Sequence, residues 1–152
     1  MTNLSVEPNA RVSFRIAFRD DDVMVVEKPP GLVTQPGKGH QHDTLLNGLF
    51  AIEGLGAKLQ NLGKARDFGL LHRLDRETSG VLVVGLRPRA YDALRADFAE
   101  RRIKKFYWAV TAKGPTGDSG VIKKPILEVE DDQKLARISP AGKPAVTAYR
   151  VL

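Results

Sequence analysis

The chain has 152 residues, a net charge of +6 and no cysteine, with 42% hydrophobic and 28% charged residues. At roughly 100–200 residues per domain it is one domain or part of a larger one, and its apolar content excludes disorder along the whole length. The missing thiols exclude a disulfide framework, a thiolate metal site and a thiol nucleophile, while the absence of a signal peptide in Met1 to Ser5 and of any apolar run near the ~20 residues of a membrane span leads us to expect a cytoplasmic protein.

Val12-Ser13-Phe14-Arg15-Ile16 alternates apolar and polar residues and predicts a half-buried strand. Asp20-Asp21-Asp22 is a turn, and Val23 to Val26 a short β-branched strand that Lys28-Pro29-Pro30-Gly31 ends. Gln35 to Asp43 is polar and glycine-rich, hence a loop. Thr44 is placed to cap a helix whose Leu45, Leu46, Leu49 and Phe50 share one face. Residues 53–67, with Gly54, Gly56 and Gly63, read as a loosely structured, mobile connection. The polar segment His72 to Gly80 then leads into Val81-Leu82-Val83-Val84, a strand expected to be buried on both faces. Pro88 suits the first turn of a helix with an apolar stripe of Ala90, Tyr91, Leu94 and Phe98. Phe106 to Thr111 is aromatic and β-branched, a predicted strand that stops at Gly114-Pro115. Strands are expected at 121–127 and 135–138 around the acidic turn Glu128 to Asp132, and again at 145–152 after the turn Ser139 to Gly142. Many short strands with few helices predict an α+β fold with a mixed, largely antiparallel sheet. No repeat or linker divides the chain, so one domain is expected over residues 1–152. The closing strand-like run Ala145 to Leu152 suggests that the numbering stops before the end of that domain.

Charge is distributed unevenly. Residues 1–63 carry a balance of −1, whereas residues 64–105 carry eleven basic against six acidic groups, a balance of +5. A basic middle third suits a polyanion such as nucleic acid, because each phosphate neutralised releases counterions. It equally suits a solvated helix face.

The densest polar cluster is His72-Arg73-Leu74-Asp75-Arg76-Glu77-Thr78-Ser79-Gly80. A carboxylate between two arginines, as Asp75 is between Arg73 and Arg76, is held ionised by nearby positive charge and is suited to act as nucleophile or base without metal or cofactor. The competing reading is a surface turn in which Asp75, Thr78 and Ser79 cap local backbone donors. A metal site built from His40, His42 and Asp43 with His72 or Asp75 is a third possibility. Gly37-Lys38-Gly39 lacks the spacing of a phosphate-binding loop.

The nine residues His72 to Gly80 resemble the H-R-L-D-x-x-T-S-G signature of the large bacterial-type (RluA-like) RNA pseudouridine synthase family. Glu27-Lys28-Pro29-Pro30-Gly31-Leu32-Val33 is similar to its N-K-P-x-G segment, with Glu27 in place of Asn, and Lys105-Phe106-Tyr107-Trp108-Ala109-Val110 is similar to its K-x-Y-x-A-x-V strand. The resemblance implies an isomerase that converts uridine to pseudouridine in ribosomal or transfer RNA, without a cofactor or metal. It implies Asp75 as the essential carboxylate, Tyr107 as the tyrosine that packs on the target base, and Arg73 as the side chain that fills the space of a flipped nucleotide. His72, Arg76, Thr78 and Lys105 are expected to contact RNA. In a strand, Lys105 and Tyr107 would share one face and Phe106 and Trp108 the other, leaving one face for substrate and one for core. The T-G-R-x-H-Q-[IL]-R-like stretch of the family has no counterpart in residues 115–152, and no separate N-terminal RNA-binding module is visible. A truncated catalytic domain is therefore expected, with a non-catalytic RNA-binding fragment as the alternative.

Overall fold

The computed structural model describes residues 5–128 and 136–152 and divides into two compact units, Met1–Lys105 and Phe106–Leu152. In the first, β1 (Arg15–Arg19), β2 (Val23–Lys28) and β3 (Gly80–Gly85) form an antiparallel sheet in the order β1-β2-β3. β2 sits in the middle and alternates strictly, with Met24, Val26 and Lys28 buried, as the two-residue period of a strand requires. Met24 and Val26 lie opposite Val84 and Leu82 of β3, and all four are fully buried.

Two strands depart from expectation. β1 begins at Arg15 and is exposed throughout, because the preceding Val12 and Phe14 turn onto α1 (Leu45–Phe50) and lie against Gly48. β3 is covered on one face only: Leu82 and Val84 are buried while Val81 is 53% exposed. The core lies against one face of β3, and Val81 stands on the other, half-exposed among the described residues.

Thr44 caps α1 as predicted, within a reciprocal capping box: its hydroxyl accepts from the Asn47 N–H, and the Asn47 side-chain oxygen accepts from the Thr44 N–H. The stretch read as a loose connection is ordered instead. Residues 55–62 form α2 (Leu55–Leu62), which buries Leu55, Leu59 and Leu62, and residues 64–69 form a kinked 3₁₀ segment. The glycines there are packing and capping devices. A Cβ on Gly56 would meet the Phe50 carbonyl oxygen at 2.5 Å, so only glycine lets α2 approach the end of α1 this closely. α3 (Pro88–Ala99) opens with proline at its first turn and buries Tyr91, with Ala90, Leu94 and Phe98 half-buried beside it.

The second unit holds two antiparallel pairs, β4 (Ser119–Lys123) with β7 (Val146–Arg150) and β5 (Ile126–Glu128) with β6 (Ala136–Ile138). The single strand expected over 121–127 is broken at Lys124-Pro125, where proline offers no ladder donor. The turn at 139–142 forms with a Gly142 N–H to Ser139 carbonyl bond of 2.9 Å. The acidic turn, beyond Glu128, and Leu135 lie outside the described residues. The strand expected at 106–111 is not formed. Phe106, Trp108 and Val110 are almost fully exposed. Strand propensity expresses the fit of a side chain to a paired, half-covered surface, and no described strand pairs with this segment. The α+β class with antiparallel pairing and few helices stands as read.

Candidate active site

The signature His72 to Gly80 is an irregular loop entering β3, and the backbone is held from outside at two points within it and one just before it. The Arg95 guanidinium donates to the Leu71 carbonyl (3.3 Å), just before the loop. The buried Thr34 hydroxyl donates to the Leu74 carbonyl (2.7 Å) and accepts from the Leu74 N–H (3.3 Å). The Arg76 carbonyl accepts from the Gly31 N–H (2.8 Å) and from the Lys28 ammonium (3.0 Å). Leu71 and Leu74 point into the core while Arg73, Asp75, Arg76 and Glu77 are exposed. An apolar-anchored loop thus presents a carboxylate to solvent from a fixed backbone.

Lys28 is the least expected member. Its side chain is 1% exposed, and its Nζ donates to the carbonyls of Pro29 (3.0 Å), Leu32 (2.8 Å) and Arg76 (3.0 Å). Three acceptors match the three donors of an ammonium. Burial pushes the Lys28 pKa below its ordinary value, while Glu77 and Asp75 pull it back up. The lysine that ends β2 therefore clamps the Pro29–Leu32 turn to the signature loop. Read from sequence alone, Lys28 marks a strand end; the period-two pattern Met24, Val26, Lys28 was the signal that it points inward. Thr34, a polar residue directly after Leu32-Val33, carried no signal of its distant partner.

The Asp75 carboxylate forms no hydrogen bond or ion pair with another described residue. Its own carbonyl accepts from the Thr78 N–H (3.1 Å), which shapes the turn through backbone and leaves the side chain out of it. The expected flanking by two arginines does not become contact: the Arg76 guanidinium lies 3.2 Å from Glu77 Oε1 instead, and Arg73 makes no ion pair among the described residues.

His72 is half-buried, its ring stacked on Phe98 at 5.1 Å between centroids and 30° between planes. Nδ1 is buried without a hydrogen-bond partner among the described residues. Burial lowers the His72 pKa from its ordinary 6.5, and Lys105 lowers it further. The Lys105 ammonium lies 5.8 Å from the Phe98 ring centroid, within cation–π range. Thr78 is half-buried in the same loop. Asp75, Arg73, Arg76, His72, Thr78 and Lys105 all belong to the first unit, and Tyr107 to the second, where it is 60% exposed in the unpaired segment.

The approach to the loop is strained. Asp67 and Phe68 take left-handed backbone angles (φ 45° and 51°), and Gly69 follows at φ 91°. A Cβ on Gly69 would meet the Gly85 carbonyl oxygen at 2.4 Å, so the chain passes β3 only as glycine. Tyr91 Oη donates to Asp67 Oδ2 (3.3 Å), and Phe68 packs edge-on against Phe50 at 5.6 Å. The residues weighed as metal ligands separate into pairs: His40 Nδ1 lies 2.8 Å from Asp43 and His42 Nδ1 2.8 Å from Glu7. No group of three potential ligands comes together among the described residues.

A family model described as RNA pseudouridylate synthase matches residues 22–152. An uncharacterized RNA pseudouridine synthase of Aquifex aeolicus is 37% identical over 150 residues, covering 98% of this chain and 46% of the relative. The ribosomal large subunit pseudouridine synthase D of Neisseria meningitidis serogroup B is 38% identical over 151 residues, covering 99% of this chain and 38% of the relative. Among solved structures, human RNA Pseudouridylate Synthase Domain Containing 4 superposes with a TM-score of 0.65 at 30% identity, over 90% of this chain and 53% of that one. The chain spans less than half the length of these curated relatives.

Proposed function

The chain belongs to the RNA pseudouridylate synthase family, and on that premise we propose that it isomerises uridine in RNA to pseudouridine with Asp75 as the essential carboxylate. The observation that carries this reading is the exposed, unpartnered Asp75 carboxylate on a backbone pinned at Leu74 and Arg76. A carboxylate engaged in capping its own bend would be occupied; this one is offered outward. The names of relatives favour ribosomal large-subunit RNA as the substrate, with transfer RNA as the second class to test, and hence a cytoplasmic site of action.

The reaction needs little beyond positioning. The N1–C1′ bond breaks, the uracil turns and C5 joins C1′; the C5 hydrogen leaves as a proton and N1 takes one up, so product and substrate are isomers. No electron carrier or energy source enters that balance. The base must first leave its stack, at a cost of a few kcal/mol. Arg73 is suited to fill the vacated space, while Arg76, Lys105, His72 and Thr78 line the approach of the phosphate backbone. Asp75 then serves by adding to the base, by stabilising positive charge at C1′ as the base departs, or by taking a sugar proton. Tyr107 packs on the uracil in this reading.

One observation favours a second reading, an RNA-binding fragment without turnover: the segment bearing Tyr107 has no ladder partner among the described residues, and the chain matches under half of its relatives' length. Incubating the chain with large-subunit ribosomal and transfer RNA transcripts and measuring pseudouridine separates the two. The proposal expects stoichiometric conversion at discrete uridines of ribosomal RNA. Salt-sensitive binding with no conversion supports the fragment reading and overturns the enzymatic one.

A further inference from the structure

The Asp75 side chain has no hydrogen-bond or ion-pair partner among the described residues, so the direction in which its Cα–Cβ bond leaves the loop is set by the peptide units around it. Those units are not held equally. The unit after Asp75 is held by the Asp75 carbonyl accepting from the Thr78 N–H (3.1 Å), and the next carbonyl along, that of Arg76, has two independent donors, the Lys28 ammonium and the Gly31 N–H. Leu74, in contrast, has a single partner for both of its peptide groups among the described residues: the Thr34 hydroxyl, which donates to the carbonyl at 2.7 Å and accepts from the N–H at 3.3 Å. Thr34 is itself buried and immobilised by backbone contacts that do not involve its side chain. Its carbonyl accepts from the Leu46 N–H (3.1 Å), and the neighbouring Val33 carbonyl accepts from the Leu45 N–H (2.8 Å), both at the start of α1. A chain of contacts therefore runs from the capped first turn of α1 through one hydroxyl to the residue preceding Asp75.

We infer that Thr34 is a positioning residue which, through Leu74, fixes the direction of the Asp75 carboxylate. The inference rests on the reading of Asp75 as the reacting group, but its structural half is separately measurable. Only an oxygen that can both donate and accept satisfies the two Leu74 groups together. Serine keeps that oxygen. Valine keeps the branched shape and the backbone contacts to α1 but loses it, leaving a buried N–H and carbonyl unpaired.

The test compares Thr34→Val and Thr34→Ser in the whole chain by amide exchange at Leu74 and by steady-state kinetics on ribosomal RNA. Exchange at Leu74 is expected to quicken at least about tenfold in the valine variant and to stay near the wild-type rate in the serine variant. The valine variant should lose roughly a hundredfold in kcat with KM within about twofold, since misplacing a reacting group by an ångström has a cost of that size, and serine should restore most of it. Unchanged Leu74 exchange in Thr34→Val, an unchanged kcat, or equal losses in both variants would overturn the inference. Should Thr34→Val not fold, Thr34→Ala removes the same oxygen and carries the same readouts. A wild-type chain that makes no pseudouridine contradicts the proposed function alone; Leu74 exchange then still decides whether the hydroxyl holds the loop.

Discussion

At the scale of single residues, the site is a set of polar groups that hold backbone rather than one another. Lys28 illustrates the energetics. Its ammonium has given up water for three carbonyls, and hydrogen bonds to a charged group contribute more than neutral ones. Lys28→Met leaves the Pro29 and Leu32 carbonyls without that donor and is expected to lower unfolding stability by on the order of 2–3 kcal/mol in denaturant titrations. A stability equal to wild type would contradict the clamp. His72 makes a pH-dependent case. Unfolded, it takes up a proton near its ordinary 6.5, whereas burial and Lys105 demand a lower pH in the folded state. Between the folded value and 6.5 the unfolded chain holds more protons, so stability is full above 6.5 and falls as pH drops through that window. His72→Phe, which keeps a ring against Phe98 but cannot titrate, should remove that part of the acid loss; denaturation midpoints at about pH 5 and about pH 7 decide it, and parallel curves for both proteins would contradict it. Asp75 stood out in the sequence because the polar run is dense and immediately precedes a strand. Thr34 and Arg95 did not, because their partners lie 40 and 24 residues away, and a hydroxyl or guanidinium reaching a distant carbonyl leaves no periodic trace.

At the scale of elements, the legible parts were those with a local cause. The Thr44 cap, the proline opening of α3 and the β2 alternation follow from neighbouring residues. α2 was obscured by its glycines, although Leu55, Leu59 and Leu62 have helical spacing; Gly54 and Gly63 bound the helix at positive φ, and Gly56 permits contact with α1. Packing supplies this helix with its stability. Leu59→Ala, at a side chain with no exposure, should therefore destabilise the chain by about 2–5 kcal/mol in urea unfolding. A loss below about 1 kcal/mol would indicate that α2 is not part of the core. The 106–111 segment failed in the opposite direction: its composition suits a strand, but a strand exists only with a neighbour, and composition cannot supply one.

At the scale of the whole molecule, the positive balance of residues 64–105 is partly neutralised from outside the segment by Asp21 and Asp22, which pair with Arg87, whereas Arg66–Asp92 pairs charges already balanced within it. Arg73 and Lys105 form no ion pair among the described residues and lie within or beside the signature loop. Net charge thus pointed to the class of ligand proposed above, while the cations free to meet it were recognisable only once the pairs were known. RNA affinity should fall steeply with salt, and Arg73→Ala should shallow that slope by about one counterion, read from binding isotherms across a salt series; an unchanged slope would place Arg73 off the phosphate path. The proposed reaction depends on the two carboxylate oxygens of Asp75. Its most direct test is Asp75→Asn assayed on ribosomal RNA for binding and for pseudouridine in the same tube. The expected result is RNA affinity within about threefold of wild type and no detectable product. Turnover at the wild-type rate by the asparagine variant would contradict it.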